Sequence, residues 1–347
     1  MTITDITPEA PAGPSGPPPP AIALQLASGF IASQAVYVFT KLRIADALAD
    51  GPRPVDAVAS RVGTSRDETR RLLRTLGGLG VVDEVAPETF QLTDVGELFR
   101  NEPGSLADLT TMWMETHYIP FAGMTGTVTS GRPAFEASEG EDFWSWLQHE
   151  PDTADLFSRA MGSFGGQTQA AAVAAFDFSG FGRIVDVGGA HGSFLASALA
   201  QSDTSRGVLF DLPHVVDAAG PSLDAVGVTD RVECVGGDFF ESVPADGDAY
   251  LLSIILHDWN DADCVRILSS IRRAIPAHGV LLILENVIPD GNEPHLGKII
   301  DMIMMTMLNG TERTRSEYAA LLTEAGFTLD EVVATHAPTS LVVARPA

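Results

Sequence analysis

The sequence predicts an α/β fold, a parallel Rossmann-like sheet wound with helices on both faces, behind a small N-terminal all-α winged-helix domain. Three observations carry that prediction. From Arg183 onward strand patterns alternate with helical stretches, RIVDV, GVLFDL, RVECV, AYLLSIIL and GVLLILE, and such alternation builds a parallel sheet. The first strand runs into a glycine turn and a helix over residues 184–195, IVDVGGAHGSFL, a turn that lets a ligand touch bare backbone beside free helix N–H groups. Ahead of both, short helical patterns lead into a hairpin pattern, as in a winged helix.

Composition bounds the function. A chain of 347 residues, 45% hydrophobic and 19% charged, buries a substantial core and divides into about two domains. The longest apolar runs, LLSIIL and IIDMIMMTML, are shorter than a bilayer span, and the second carries Asp301, so no membrane partner is expected. Residues 1–20 hold seven prolines and no lysine or arginine, which reads as a disordered tail without a secretory signal. Cys234 and Cys264 are the only cysteines, read as reduced, buried thiols, too few for a metal cluster. The cytoplasm is the expected compartment. Residues 1–100 carry 9 Lys+Arg against 12 Asp+Glu, which leaves 12 against 34 for the remainder and a net charge of −25 overall. Nucleic acid is thereby disfavoured as a partner of the larger part.

Taken in order, residues 21–42 form an almost continuously apolar helical pattern. A helix apolar nearly all round is buried on most sides, and in a small domain that implies a second copy of the chain, a homodimer. Helical segments follow over residues 44–49, 55–62 and 66–79, the last opened by Ser65 and Glu68 in capping-box spacing and stopped at Gly80. VVDEV and TFQLT, separated by Ala86-Pro87-Glu88, complete a winged-helix domain over residues 21–105. Arg66, Arg70 and Arg74 recur every fourth residue beside Arg71, the stripe a DNA-reading helix shows. Asp67 and Glu68 interrupt it, and a solvated face is the plainer reading.

Residues 106–180 are helical and aromatic-rich, with one helix expected over residues 155–164, and some of them line a substrate pocket. Residues 181–347 form the catalytic domain, closed by FTLDEVVATHA and TSLVVARP, whose short connection makes them antiparallel. The C-terminal ends of the parallel strands face one crevice. They place Gly188, Asp211, Asp238, His257 and Glu285 there.

Asp211 lies 25 positions after Asp186, where such folds hold a nucleoside's ribose hydroxyls. From Gly188 the dinucleotide pattern G-x-G-x-x-G meets Ala190 and Ser193 instead, which sets dinucleotides aside. Asp238 with Phe239 offers an adenine its edge and face, or else Asp238 is a loop aspartate that caps the next helix. His257 suits proton transfer near neutral pH. Either Glu285 or Glu312 would accept its second N–H and fix its tautomer.

DVGGAHG, FDLPHV, GDFF, LHDWND, ILENVIP and NGTERT, in this order, resemble the S-adenosylmethionine-dependent small-molecule O-methyltransferases of plant phenylpropanoid and bacterial antibiotic pathways. The resemblance spans nearly the whole chain. It implies a class I methyltransferase sheet, an N-terminal dimerisation domain, S-adenosylmethionine as cofactor and S-adenosylhomocysteine as product, with no metal. It implies cofactor contacts from Gly188, Gly192, Asp211, Asp238 and Phe239, and His257 as general base flanked by Glu285 and Glu312. The family's turn usually carries glycine where this chain has Ala190. Ser253 is counted with the cofactor site by position, but plant members have lysine there, and that lysine's adenine contact does not carry over. In the family the methionine-rich helix helps enclose the acceptor, so Met304 and Met305, with Phe157, Met161 and Asp258, are candidates for the pocket. The expected reaction is O-methylation of a small aromatic natural product. The alternative is a same-fold relative that methylates nitrogen or performs hydroxylation or decarboxylation.

Overall fold

The structure is a computed structural model and describes residues 17–347; most of the expected tail lies outside the described residues. Two compact units follow each other, the described chain through Arg100 and Asn101–Ala347.

In the first unit, helices α1 (Pro19–Ala27), α2 (Gly29–Lys41), α3 (Ile44–Leu48), α4 (Val55–Val62) and α5 (Arg66–Gly78) precede a small sheet and α6 (Asp94–Glu97). The single helix expected over residues 21–42 is two helices bent by 52°. The cause is local: the Ser28 hydroxyl turns back onto the Leu24 carbonyl, and Gly29 follows. Phe39 is buried on α2, while Leu24 and Leu26 on α1 stay 70% and 78% exposed. The predicted capping box is not formed, because the Ser65 hydroxyl bonds the Glu68 carboxylate rather than a backbone N–H. Gly80, at φ 76°, ends that stretch in the conformation glycine tolerates. Strands β2 (Val82–Ala86) and β3 (Thr89–Leu92) form the hairpin, and β1 (Arg53–Pro54) adds an antiparallel edge to β3 that the sequence reading missed. Arg66 pairs with Asp56, Asp67 and Glu88, and Arg70 with Glu88, so acids from neighbouring elements neutralise much of the arginine stripe.

The second unit opens with α7 (Ala107–Met112), a π-helical turn (Trp113–His117), α8 (Tyr118–Phe121), α9 (Met124–Ser130), α10 (Ala134–Glu139), α11 (Phe143–His149) and α12 (Pro151–Ala175). The helix expected over residues 155–164 is one part of α12. It runs on through Gly165 and Gly166 because Thr168, Ala171 and Ala172 continue a buried face, and packing outweighs glycine's poor propensity.

The sheet comprises β4 (Arg183–Val187), β5 (Arg206–Asp211), β6 (Val232–Gly236), β7 (Ala249–Ser253), β8 (Val280–Glu285), and, after short β9 (Val287–Ile288) and β10 (Arg313–Thr314), β11 (Phe327–Ala334) and β12 (Ser340–Pro346). Its order is β11-β12-β8-β7-β4-β5-β6. β4 through β8 pair in parallel, and β12 lies antiparallel between β8 and β11. Chain order reverses between β4 and β7, which opens a crevice at their C-terminal ends. Helices α13 (Ser193–Leu199), α14 (Pro213–Val216), α15 (Gly220–Val226), α16 (Asp261–Ala274), α17 (Leu296–Met307) and α18 (Arg315–Glu324) fill the connections. One face packs Val185, Tyr250 and Ile283 against Ile267 and Leu322, the other packs Ile184, Leu251 and Leu282 against Leu195 and Ala172. The expected strand AYLLSIIL stops at Ser253, where Ile254 enters the left-handed region at φ 55°. Cys264 is buried, but Cys234 is exposed on edge strand β6, contrary to the expectation of two buried thiols. Among the described residues no single helix is long and apolar enough to cross a membrane.

Candidate active site

The turn after β4 is built for close approach. A Cβ on Gly188 would lie 2.7 Å from the Ile255 side chain, and one on Gly192 2.8 Å from Leu223. Both glycines hold positive φ, 71° and 79°, so side chains are unwelcome for strain as well as space. Ala190 also sits in the left-handed region, at φ 48°, which costs a residue with a Cβ about 1 kcal/mol. Its N–H donates to Asp211 Oδ2 at 2.9 Å, while Oδ1 accepts the Leu212 N–H at 2.7 Å. Asp211 is thereby held against the turn from the end of β5.

Asp238 is exposed and accepts the Phe240 N–H at 2.8 Å, a turn-capping bond. Phe239 stands edge-on to Phe240 and Trp259, and its ring edge lies 3.8 Å from where a Gly188 Cβ would be. At the end of β7 the buried Ser253 hydroxyl has no hydrogen-bond partner. A held carboxylate at Asp211, an aromatic edge at Phe239 and an orphaned hydroxyl at Ser253 together fit a nucleoside-bearing ligand.

Asp186, read as the end of the apolar strand, is buried inside it, and neither carboxylate oxygen has a hydrogen-bond partner. Burial, with a smaller contribution from Asp211, raises its pKa from 3.8 to about 7. Because the folded value exceeds the unfolded one, the acid form's stability is complete below 3.8 and is lost as pH rises through about 7. Asp186→Asn is therefore expected to be more stable than the wild type at pH 8, by on the order of a few kcal/mol. The gap should close as pH falls towards 4, and thermal melts across that range check it.

His257 lies on a 3₁₀ turn, Leu256–Asp258, beyond β7. Its Nδ1 is 2.8 Å from Glu312 Oε1, both side chains are buried, and its Nε2 faces Asp258 Oδ1 at 3.4 Å. Burial pushes the imidazole pKa down, but Asp258, Glu285 and Glu312 outweigh it and lift it to about 10. Asp258 itself is raised by burial to about 6.

Of the two candidate carboxylates, only Glu312 reaches the ring. Glu285 instead spends Oε1 on backbone, accepting the N–H groups of Ile255 and Leu256 at 2.9 and 2.7 Å. It caps the turn that Ile254 strains. His257, Glu285 and Glu312 each offer a ligand atom within 4.8 Å of the others, while His257 Nδ1 and Glu285 Oε1 are already committed to the bonds just described.

Four residues of this site escaped the sequence reading. Asn286 donates to Glu312 Oε1 at 3.0 Å, and Asp301 on α17 accepts the Glu312 N–H at 2.8 Å. Arg313, 1% exposed, donates to the carbonyls of Leu256 and Trp259 at 2.9 and 2.8 Å and to Asp261. Gly310 lies so close to the base that a Cβ there would fall 2.0 Å from the His257 carbonyl oxygen. The only advance signal was membership of NGTERT for Gly310 and Arg313 and of ILENVIP for Asn286, whereas Asp301 showed only as an acid inside the apolar run IIDMIMMTML. Phe157 and Met161 sit half-buried in one cluster with Leu109, Met112 and Ala160. Met304 is buried on α17 and Met305 is half-buried.

A family model described as the O-methyltransferase domain matches residues 121–328, and one described as the O-methyltransferase dimerisation domain matches residues 24–102. The chain belongs to the O-methyltransferase family. It is 41% identical over 327 residues to a phenazine O-methyltransferase of Lysobacter antibioticus, covering 94% of this chain and 96% of that one. It is 38% identical over 308 residues to the 8-amino-8-demethylriboflavin N,N-dimethyltransferase of Streptomyces davaonensis, covering 87% of each. An O-methyltransferase from neocarzinostatin biosynthesis, solved with S-adenosylmethionine and 2-hydroxy-5-methyl naphthoic acid, superposes with a TM-score of 0.78 at 28% identity, over 91% of this chain and 96% of that one. This family member is thus an S-adenosylmethionine-dependent methyltransferase of the natural-product group, and such enzymes need no metal.

Proposed function

We propose that this enzyme methylates a phenolic hydroxyl of a small, flat aromatic natural product, with His257 as general base. The observation that carries this reading is the buried His257–Glu312 pair at the mouth of the parallel sheet. The Glu312 carboxylate accepts from Nδ1–H and leaves Nε2 as the working nitrogen. A phenol has a pKa near ~10, and His257 is lifted to about 10, so a proton passes between them at little cost. S-adenosylmethionine, when bound, supplies an electrophilic methyl group. Gly188, Gly192, Asp211, Asp238, Phe239 and Ser253 form the proposed cofactor site, and Phe157, Met161, Met304, Met305 and Asp258 belong to the acceptor side.

The assignment of regions rests on the same reading: a tail over residues 1–20, a dimerisation domain over 21–105, a pocket-lining helical region over 106–180 and a catalytic domain over 181–347. A cytoplasmic homodimer without nucleic-acid or membrane partners follows from it. The exposed apolar run Ile22, Leu24, Leu26, Phe30 and Ile31, which from Leu24 onward lies inside the segment matched by the dimerisation model, is where a second copy packs. Leu24→Glu combined with Phe30→Glu is expected to halve the mass seen by sedimentation equilibrium. An unchanged dimer would move the interface elsewhere.

A second reading, N-methylation, is favoured by the flavin-analogue N,N-dimethyltransferase among the relatives. The two readings separate on proton demand. An aromatic amine is already neutral near pH 7 and needs no base before transfer, whereas a phenol does. Wild type and His257→Ala are therefore assayed for S-adenosylhomocysteine release on matched hydroxy- and amino-phenazines. Loss confined to the hydroxy acceptor supports the base. Turnover of the amine alone, with no effect of the substitution, replaces O- by N-methylation.

A further inference from the structure

The aromatic region ahead of α12 contains one buried polar ring with no role in the chemistry above. His117 ends the π-helical turn Trp113–His117 and is 8% exposed. Single π turns inside helices recur at functional sites. Its Nδ1 is 2.5 Å from the Thr116 hydroxyl, and that hydroxyl donates to the Met112 carbonyl at 2.7 Å. A hydroxyl has one hydrogen to give, so Thr116 accepts from His117, and the proton sits on Nδ1. Nε2 is then a bare acceptor. It has no hydrogen-bond partner among the described residues, and it is not among the buried polar atoms sealed from solvent.

The ring stands edge-on to Phe143 at 6.1 Å, and Phe143 packs on Phe157 at 5.6 Å. Phe143 and Phe157 share a cluster with Met307 of α17. α17 also carries Asp301, which holds Glu312 and through it the base. His117 is thus the polar member of an aromatic wall attached to the helix that positions the catalytic pair. With burial as the cause, its pKa falls to about 4, which keeps the ring neutral and Nε2 an acceptor through the working range.

We propose that His117 is a specificity-determining residue of the acceptor site, whose Nε2 accepts a hydrogen bond from a second O–H or N–H donor on the aromatic acceptor. This rests on the proposed aromatic acceptor and deepens it. An acceptor lacking that donor would leave Nε2 desolvated and unpaired, which is how a polar site rejects an analogue.

The test uses 1,4-dihydroxy-2-naphthoic acid against its 1-hydroxy and 4-hydroxy analogues. Dissociation constants are read by calorimetry with S-adenosylhomocysteine present, and kcat/KM by product release. Wild type should prefer the dihydroxy compound to the better monohydroxy one by about tenfold or more. In His117→Phe that preference should fall to about one, with cofactor affinity unchanged, and His117→Gln, which restores an acceptor oxygen, should recover part of it. Thr116→Val, which frees the tautomer without removing the ring, should weaken the preference too. A wild type indifferent to the second hydroxyl, or a His117→Phe variant that keeps the full preference, overturns the proposal. Failure of the phenol reading appears separately, as an indifference of hydroxy-acceptor turnover to His257→Ala.

Discussion

His257→Ala is expected to lower kcat for a phenolic acceptor by about 10²–10⁴-fold, the usual contribution of a positioned base, with little change in cofactor affinity. The pH dependence gives a second signature. The productive pair carries one proton between Nε2 and the acceptor oxygen. In the free partners at neutral pH both groups hold a proton, since His257 titrates at about 10 and a phenol near ~10. One proton must leave, so kcat/KM should climb with pH, by about tenfold per unit at most, until the more acidic partner has ionised. An acceptor whose phenol ionises near ~7 should reach its plateau three units earlier than one ionising near ~10. Steady-state assays from pH 5 to 10 on two such acceptors check the sign. A profile indifferent to acceptor pKa, with full activity in His257→Ala, would remove the base from the mechanism.

Glu285→Ala should combine a large loss of stability with a loss of activity, whereas Glu285→Gln should be tolerated much better. The alanine variant orphans the half-buried amide of Ile255 and the buried amide of Leu256, which now share Glu285 Oε1. Each unsatisfied group costs about 1–3 kcal/mol. The same amides restrain the left-handed Ile254, and strain of that kind, about 1–3 kcal/mol, persists only while its surroundings hold it. Released, the turn would carry His257 away from Glu312. Glutamine keeps an acceptor oxygen in the same place and resembles the neutral carboxyl that burial favours at Glu285. Thermal melts and kcat are measured on both variants. Equal damage in both would mean that the negative charge of Glu285, rather than its acceptor oxygen, serves the imidazole.

A charge and an acceptor oxygen of one glutamate are indistinguishable in sequence. The alternation of strands and helices, the glycine turn and the position of His257 beyond a strand were legible because they depend on local spacing. Pattern also indicated that the apolar N-terminal stretch needs more than its own domain to cover it, and Leu24 and Leu26 are indeed exposed in the isolated chain. The break of that stretch at Ser28 was not legible, because it turns on one hydroxyl competing for a carbonyl. Ser65 and Glu68 have the spacing of a capping box yet bond each other. The box that does form joins Thr314 with Glu317.

The chain by itself determined which chemical groups arrive at the ends of the parallel strands, since those ends face one way in any sheet so connected. Tertiary structure alone decided what each group does there. Glu285 and Glu312 are alike in sequence terms, each an acid after an apolar or polar run, yet one binds backbone and the other binds the ring. The physical reason is range: a strand or turn is encoded over a few residues, whereas Glu312 meets His257 across 55 positions. Arg313 likewise joins Leu256 across 57, and Gly310 leaves room for the His257 carbonyl. Contacts at that separation depend on how the whole sheet and its helices close, and no local pattern carries them.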